Sequence, residues 1–161
     1  MVFFWYFSKS VVTFLCYSEI GDNVIAYIFK TRNNQIGVCE NQNVYYFECT
    51  LNSLLNKLAC HNLSTLSGRV DAIKKMLGYK SKVPIYIDES ALFIPLFGVR
   101  SESAFLLNYH AITSYRKIAI NEIIITFSGF HEMKLFGDKN FKKAFIKAKT
   151  ITEYMENKNE A

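Results

Sequence analysis

Few residue pairs in this sequence have the types and the spacing that catalysis needs. The pair His131-Glu132 begins a zinc-protease motif, but the second histidine of that motif is missing. The pair Asp88-Glu89 offers two carboxylates, yet it stands between two apolar runs, a setting that favours an exposed hairpin turn. The pair Cys60-His61 joins a thiol to a base, but adjacent helical residues point about 100° apart and cannot easily act on one atom.

The motifs of the common nucleotide-binding and hydrolytic enzymes are also missing. The sequence has no phosphate-binding loop, no dinucleotide-binding fingerprint and no nucleophile elbow. His110 stands in an apolar run predicted to be a strand, which is typical of a structural histidine. We therefore expect no enzyme activity, no catalytic residue, no metal ligand and no cofactor.

The cysteine spacing is a further argument against a metal site. The four cysteines are about ten residues or more apart, whereas zinc sites take their ligands from close pairs. The thiols are either buried and reduced in a cytoplasmic protein or paired in disulfides in a secreted one. We interpret them as buried thiols. The residues are Cys16, Cys39, Cys49 and Cys60.

The positive charge of the chain is unevenly distributed. Residues 1–62 contain four basic and four acidic residues, whereas residues 69–149 contain fourteen basic and seven acidic residues. A local surplus of this kind is typical of a protein that binds a polyanion such as nucleic acid, although surface lysines also serve solubility alone. We expect the cations to meet on one outward face.

The basic residues form two groups along the sequence. The first group surrounds a Gly-Arg pair and the basic turn that follows it: Arg69, Lys74, Lys75, Lys80 and Lys82. The second group lies near the later strands, with two lysines of the last helix beside it: Arg100, Arg116, Lys117, Lys142 and Lys143. The predicted DNA-binding residues are Arg69, Lys74, Lys75, Lys80, Lys82, Arg100, Arg116 and Lys117.

Lysine and arginine suit different parts of a DNA surface. Lysine neutralises phosphates, whereas arginine can also enter the narrow minor groove of A/T-rich DNA. We expect the lysines of the first group to hold phosphates and Arg69 or Arg100 to enter the groove. Arg69 follows a glycine in a tight connection, where it makes either a specific contact or a structural ion pair.

Hydrophobic periodicity predicts the elements that position these cations. Aromatic and β-branched runs separated by turn signals indicate an antiparallel meander at residues 11–17, 24–31, 36–40 and 44–49. Leucines at helical spacing then predict a helix between Thr50 as N-cap and Asn62. A second helix, residues 67–78, turns four apolar residues inward. They are Val70, Ile73, Met76 and Leu77.

The second half of the chain predicts more antiparallel sheet and a last helix. The strands are residues 83–87, 91–96, 105–117 (one long strand or a bent pair), 122–127 and 133–136. Residues 140–155 form a helix that packs through an apolar stripe. The predicted fold class is α+β: an antiparallel β-meander, two short central helices, further antiparallel strands and a C-terminal packing helix.

We expect one DNA-binding domain, residues 1–155, followed by a short polar tail, residues 156–161. The apolar start of the chain is interrupted at Ser8-Lys9-Ser10, which makes it too short to span a membrane. It also lacks the basic region and cleavage site of a signal peptide. We predict a cytoplasmic protein that binds no membrane.

Three motifs in the centre of the sequence resemble the ComK family of competence transcription factors from low-G+C Gram-positive bacteria. The family pattern is approximately S-S-Y-x-G-R, then H/K-x-P-P-I-x-I-D-P, then F-F-P. The corresponding runs here are STLSGR (64–69), KVPIYID (82–88) and FIPL (93–96). The sequence departs from the pattern at Leu66, Val83 and Glu89, which stand where an aromatic residue and two prolines are expected.

The resemblance implies an activator of DNA-uptake genes that binds A/T-rich double-stranded DNA, largely through the minor groove, as a homo-oligomer. It also implies recognition by a proteolytic adaptor through a C-terminal extension, and this chain ends soon after its last predicted helix. A second interpretation is an interaction module that binds no DNA itself and pairs with a full-length activator or with the adaptor. An accessory protein of unrelated function is a third.

Overall fold

The computed structural model describes residues 24–97, 99, 101–129 and 131–159. The predicted strand at residues 11–17 lies outside the described residues, as does Cys16. The described part of the chain contains nine strands: β1 (Ile25–Lys30), β2 (Ile36–Glu40), β3 (Asn43–Phe47), β4 (Ile85–Asp88), β5 (Ala91–Pro95), β6 (Phe105–Asn108), β7 (Ile112–Ala119), β8 (Glu122–Phe127) and β9 (Glu132–Phe136). Its helices are α1 (Leu51–His61), α2 (Leu66–Leu77) and α3 (Asp138–Asn159). This order confirms the predicted α+β class.

The strands form two antiparallel sheets. The larger sheet has six strands in the order β3-β2-β1-β6-β5-β4, and the smaller has three in the order β7-β8-β9. The pairing of β1 with β6 joins residues about eighty positions apart, with Tyr27 opposite Leu107. This pairing closes the meander and the later hairpin into one sheet.

Local signals set the ends of both short helices. The Thr50 hydroxyl accepts a hydrogen bond from Ser53 N at 3.1 Å, so it caps α1 as predicted. The Thr65 hydroxyl does the same for α2 through Gly68 N at 3.1 Å. Gly78 ends α2 in the left-handed region, with φ of 70°, which glycine adopts without strain.

The six-stranded sheet lies between two apolar clusters. One face packs against α1 through residues such as Leu54 and Leu55, which are fully buried. The other face packs against the three-stranded sheet and α3, where Phe127 and Phe141 are fully buried. The smaller sheet and α3 are therefore held on the same side of the molecule.

The connection between the two sheets is a sharp bend. After β6, residues Tyr109–Ala111 form a 3-10 turn, and β7 then continues in the other sheet. Residues 105–117 are thus a bent pair and not one long strand. His110, predicted to lie in a strand, belongs to this turn and is half-buried.

The prediction for the inward face of α2 is wrong in part. No residue of α2 is fully buried, and Met76 is 52% exposed. The helix touches the sheet at edge strand β4 and leaves a gap toward α3, so its apolar side is only half covered.

The cysteine prediction is likewise only partly correct. Cys39, Cys49 and Cys60 are free thiols, of which Cys39 is buried and Cys49 half-buried. Cys60 is exposed because it follows the buried Ala59 by one position, about 100° around α1.

Candidate nucleic-acid interface

The first half of α3 carries the highest density of positive charge in the described residues. Between residues 139 and 149 there are five lysines and no acidic residue. The buried side of α3 is formed by Phe141, Ala144, Ala148 and Ile151. With 3.6 residues per turn, the lysines fall on the remaining faces. They are Lys139, Lys142, Lys143, Lys147 and Lys149.

One edge of this helix lies against the basic turn that follows α2. Lys147 Nζ donates a hydrogen bond to the Ser81 carbonyl oxygen at 2.7 Å and lies 5.1 Å from the ring centre of Tyr79. Exposed Lys80 and Lys82 flank Ser81. Lys82 Nζ in turn donates to the Leu96 carbonyl oxygen at 3.3 Å. This turn therefore adds two cations to those of the helix.

The other edge of α3 lies against β7. Lys117 Nζ is 3.1 Å from Asp138 Oδ2 at the start of the helix. The hydrogen bond from Lys117 lowers the pKa of Asp138, and the charges of Lys117 and Lys142 lower it further. Asp138 is thus ionised at neutral pH and surrounded by cations.

Arg116 lies on the opposite face of β7, pointing away from α3. It stands beside Ile124 on β8, and Ile124 in turn stands beside Lys134 on β9. Lys134 Nζ forms an ion pair with Glu122 at 2.7 Å. Arg116 is exposed, and no acidic side chain within the described ranges pairs with it.

We refer to the cations on α3 and the neighbouring turn as the lysine track. The track combines two residues of the first basic group with two of the second, and it adds two that belong to neither group; only the two from the first group were predicted DNA ligands. Its members are Lys80, Lys82, Lys139, Lys142, Lys143 and Lys147. The signal for the added residues was present in the sequence, as a lysine run free of acids.

The lysines of α2 form a separate pair near the end of that helix. Lys74 Nζ lies 4.0 Å from Asp71 Oδ1, and both side chains are well exposed. Lys75 is exposed as well. Both lysines lie in the last turn, where a positive charge is favourable with respect to the helix dipole. This position gives them a structural role besides any contact with DNA.

Arg69 is not part of an outward cationic face. It lies in the first turn of α2, within the predicted helix at residues 67–78, and its guanidinium stands 5.5 Å from the ring centre of Tyr86. Its Nη2 donates to the Asn62 carbonyl oxygen at 3.4 Å, and its Nε is buried without a hydrogen-bond partner in the described chain. The side chain makes a cation–π contact in place of the ion pair considered from the sequence. Arg100 lies outside the described residues.

Arg69 forms part of the wall of an apolar cleft between α2 and α3. The cleft has a volume of about 270 Å³. Two of its lining residues, Arg69 and Lys158, are basic and none is acidic. Most of the others are apolar: Ala72, Ile73, Met76, Leu77, Tyr86, Ile151, Tyr154 and Met155.

No group of three or more histidine, cysteine or acidic side chains among the described residues is arranged to hold a metal ion. Of the helices the structure describes, none combines the length and the apolar character needed to cross a membrane.

The comparison with protein families agrees with the resemblance noted in the central motifs. The model of the ComK protein family matches residues 21–160, which is most of the chain. The chain therefore belongs to the ComK family, a family of competence transcription factors. A search of curated proteins and a search of solved structures each returned no significant match.

Proposed function

We propose that this protein is a transcriptional activator of competence genes that binds A/T-rich promoter DNA. The observation that carries the proposal is the lysine track, because half-buried Lys147 holds the exposed lysines of α3 next to those of the turn at residues 80–82. A row of cations without intervening acids is the surface that a phosphate backbone requires. Membership of the ComK family supports the same assignment.

Each class of cation has its own role in the proposed complex. The lysine track holds phosphates of one strand, which fixes the position of the protein but carries no sequence information. Arg116 is exposed on β7, the edge strand of the smaller sheet, and points away from α3, so we assign it to a contact separate from the track, in the minor groove, which is narrow and strongly negative in A/T-rich DNA. The α2 lysines 74 and 75, together with Arg69 and Arg100, remain proposed ligands of a second contact.

Fluorescence anisotropy with labelled duplexes tests the proposal. We expect an A/T-rich duplex to bind more tightly than a G/C-rich duplex of equal length at every salt concentration. If the six lysines of the track each neutralise one phosphate, the logarithm of the binding constant falls with the logarithm of salt with a slope of about −5. Equal binding of both duplexes, or a slope near zero, contradicts the proposal.

We also propose that the protein works in the cytoplasm as a homo-oligomer on DNA, as its family membership suggests. Light scattering after size-exclusion chromatography, with and without duplex, measures the number of chains in the complex. A single chain on a duplex long enough for several A/T-rich boxes contradicts this part of the proposal.

The apolar cleft favours a second candidate function, in which the chain pairs with a full-length activator or a proteolytic adaptor. Its wall includes Met76, which is 52% exposed, and Tyr154, which is 38% exposed. If the chain is only an interaction module, it binds no duplex by itself. The anisotropy titration therefore separates the two functions. Met76→Asp places a charge in the cleft, so it should abolish binding to such a partner and leave DNA affinity unchanged.

A further inference from the structure

The tip of the β7–β8 hairpin exposes an apolar residue that the fold does not require. Residues Ile120 and Asn121 form the two-residue turn, with Asn121 at φ of 64°. Such turns favour asparagine, aspartate and glycine, and a β-branched residue at the tip is unusual. Ile120 is nevertheless 92% exposed, and Ile118, two residues before it, is 38% exposed.

The tip is held in place by the start of α3. Gly137 N donates a hydrogen bond to the Asn121 carbonyl oxygen at 2.9 Å. The strands behind the tip are paired on both sides of a register shift between Lys117 and Ala119, with Lys117 opposite Ile123 and Ala119 opposite Glu122. The exposed Ile120 is therefore presented by a supported hairpin next to the lysine track.

Positive charge dominates around this tip. Glu122, which follows the turn, is paired with Lys134 at 2.7 Å, and Asp138, which follows Gly137, is paired with Lys117 at 3.1 Å. Arg116 has no such acidic partner in the described chain and adds an uncompensated charge. In a DNA duplex, two rows of negatively charged phosphates lie on either side of stacked, largely apolar bases. An exposed apolar side chain with cations beside it is complementary to this arrangement.

We propose that Ile120 inserts between two base pairs of the bound duplex from the minor-groove side. This inference rests on the proposed DNA-binding function. Minor-groove proteins use isoleucine and other apolar side chains as wedges that unstack a base step, and hairpin strands are among the elements that enter this groove. Steps of the T-A type unstack most easily, so an A/T-rich site lowers the cost of insertion. The wedge thereby adds a preference for such steps to the phosphate contacts of the track.

The experiment uses A/T-rich duplexes in which 2-aminopurine replaces one adenine at successive positions. This base fluoresces weakly when stacked and strongly when unstacked. With the full-length protein at saturation, we expect a severalfold rise in fluorescence at one step and little change elsewhere. Ile120→Ala should abolish the rise and weaken binding about tenfold, as for one well-buried apolar contact. Ile120→Leu should retain most of the rise.

Leu63→Ala is the matched control, because Leu63 is 98% exposed in the connection between α1 and α2, away from the hairpin. It should leave both the fluorescence rise and the affinity unchanged. Two results would contradict the insertion of Ile120 and leave the proposed function intact. In the first, Ile120→Ala binds DNA and still gives the full rise in fluorescence. In the second, the wild type binds DNA with no rise at any position. If the wild-type protein binds neither an A/T-rich nor a G/C-rich duplex, the proposed function fails and the wedge fails with it.

Discussion

At the scale of single residues, Asn108 connects three separate parts of the six-stranded sheet. Its side chain is fully buried, and its Nδ2 donates to the carbonyl oxygens of Ile25 and Ser90, both at 2.8 Å. Its Oδ1 accepts from Leu92 N and His110 N, both at 3.2 Å. One amide thus satisfies four backbone groups at the point where the chain leaves β6 for the second sheet.

Asn108→Ala should destabilise the protein strongly. The substitution leaves these backbone groups without a partner in a buried place, and the expected loss in the free energy of unfolding is about 3 kcal/mol. Urea denaturation measures it. Asn157→Ala, at an exposed position on α3, is the control and should change stability by no more than about 0.5 kcal/mol. Similar losses for both variants would contradict this role of Asn108.

The buried position of the His131 ring nitrogens leads us to expect that the stability of the protein depends on pH. Its ring stacks on Phe127 with the ring centres 4.8 Å apart, and both ring nitrogens are buried without a hydrogen-bond partner in the described residues. Burial lowers its pKa in the folded protein from the ordinary value of 6.5. The unfolded chain therefore binds the proton more tightly, so stability is complete above pH 6.5 and falls as the pH drops below it.

His131→Phe should remove this contribution. We expect the wild type to lose stability between about pH 7 and pH 5, by no more than about 1.4 kcal/mol per pH unit from this one site. The variant should lose less over the same interval. His110 also has a lowered pKa because of burial, but it is present in both proteins and cancels in the comparison. Identical pH profiles in urea denaturation would show that His131 is not responsible.

At the scale of the elements, the sequence predicted the helix ends and strand positions that depend on residues close together in the chain. Thr50 and Gly78 mark helix ends because caps act within one turn, and strands such as β2 follow from local composition. The β1–β6 pairing could not be predicted, since strand period does not specify a partner about eighty residues away. The convergence of α3 with the turn at Ser81 depends on the same long-range packing. The lysine track was therefore only partly visible in the sequence.

The attachment of α3 to the sheets depends on an aromatic cluster. Phe141 is fully buried, and its ring centre lies 4.9 Å from that of Tyr115 on β7 and 5.5 Å from that of Phe145. Because these rings fill the space between the helix and the second sheet, Phe141→Ala leaves a cavity. The expected loss in unfolding free energy is about 3–5 kcal/mol.

The control for this substitution lies on the same helix. Ile146 is 63% exposed, so Ile146→Ala removes little buried surface and places a better helix former in α3. It should change stability by no more than about 0.5 kcal/mol. Thermal and urea denaturation compare the two variants. Equal effects would mean that α3 is held by contacts other than the aromatic cluster.

At the scale of the whole molecule, α2 and α3 present two surfaces with different properties on either side of the cleft between them. The α3 side carries the lysine track and the β7–β8 hairpin. The α2 side carries the lysine pair at 74 and 75, the half-covered apolar face and Arg69 against Tyr86. We infer that DNA binds mainly along the lysine track, which leaves the cleft between α2 and α3 open to other contacts.

Two double variants distinguish these surfaces, because each removes two positive charges from exposed lysines. Lys139→Ala with Lys143→Ala removes them from the track, and Lys74→Ala with Lys75→Ala removes them from α2. If DNA lies along α3, the first variant should weaken binding to all duplexes alike and reduce the salt slope by about 2, since each phosphate contributes about 0.9. The second should reduce the slope by well under 1, because Lys74 and Lys75 would then lie away from the duplex and salt would screen their charges. The opposite ranking would move the interface to α2, and equal reductions would mean that the duplex contacts both surfaces.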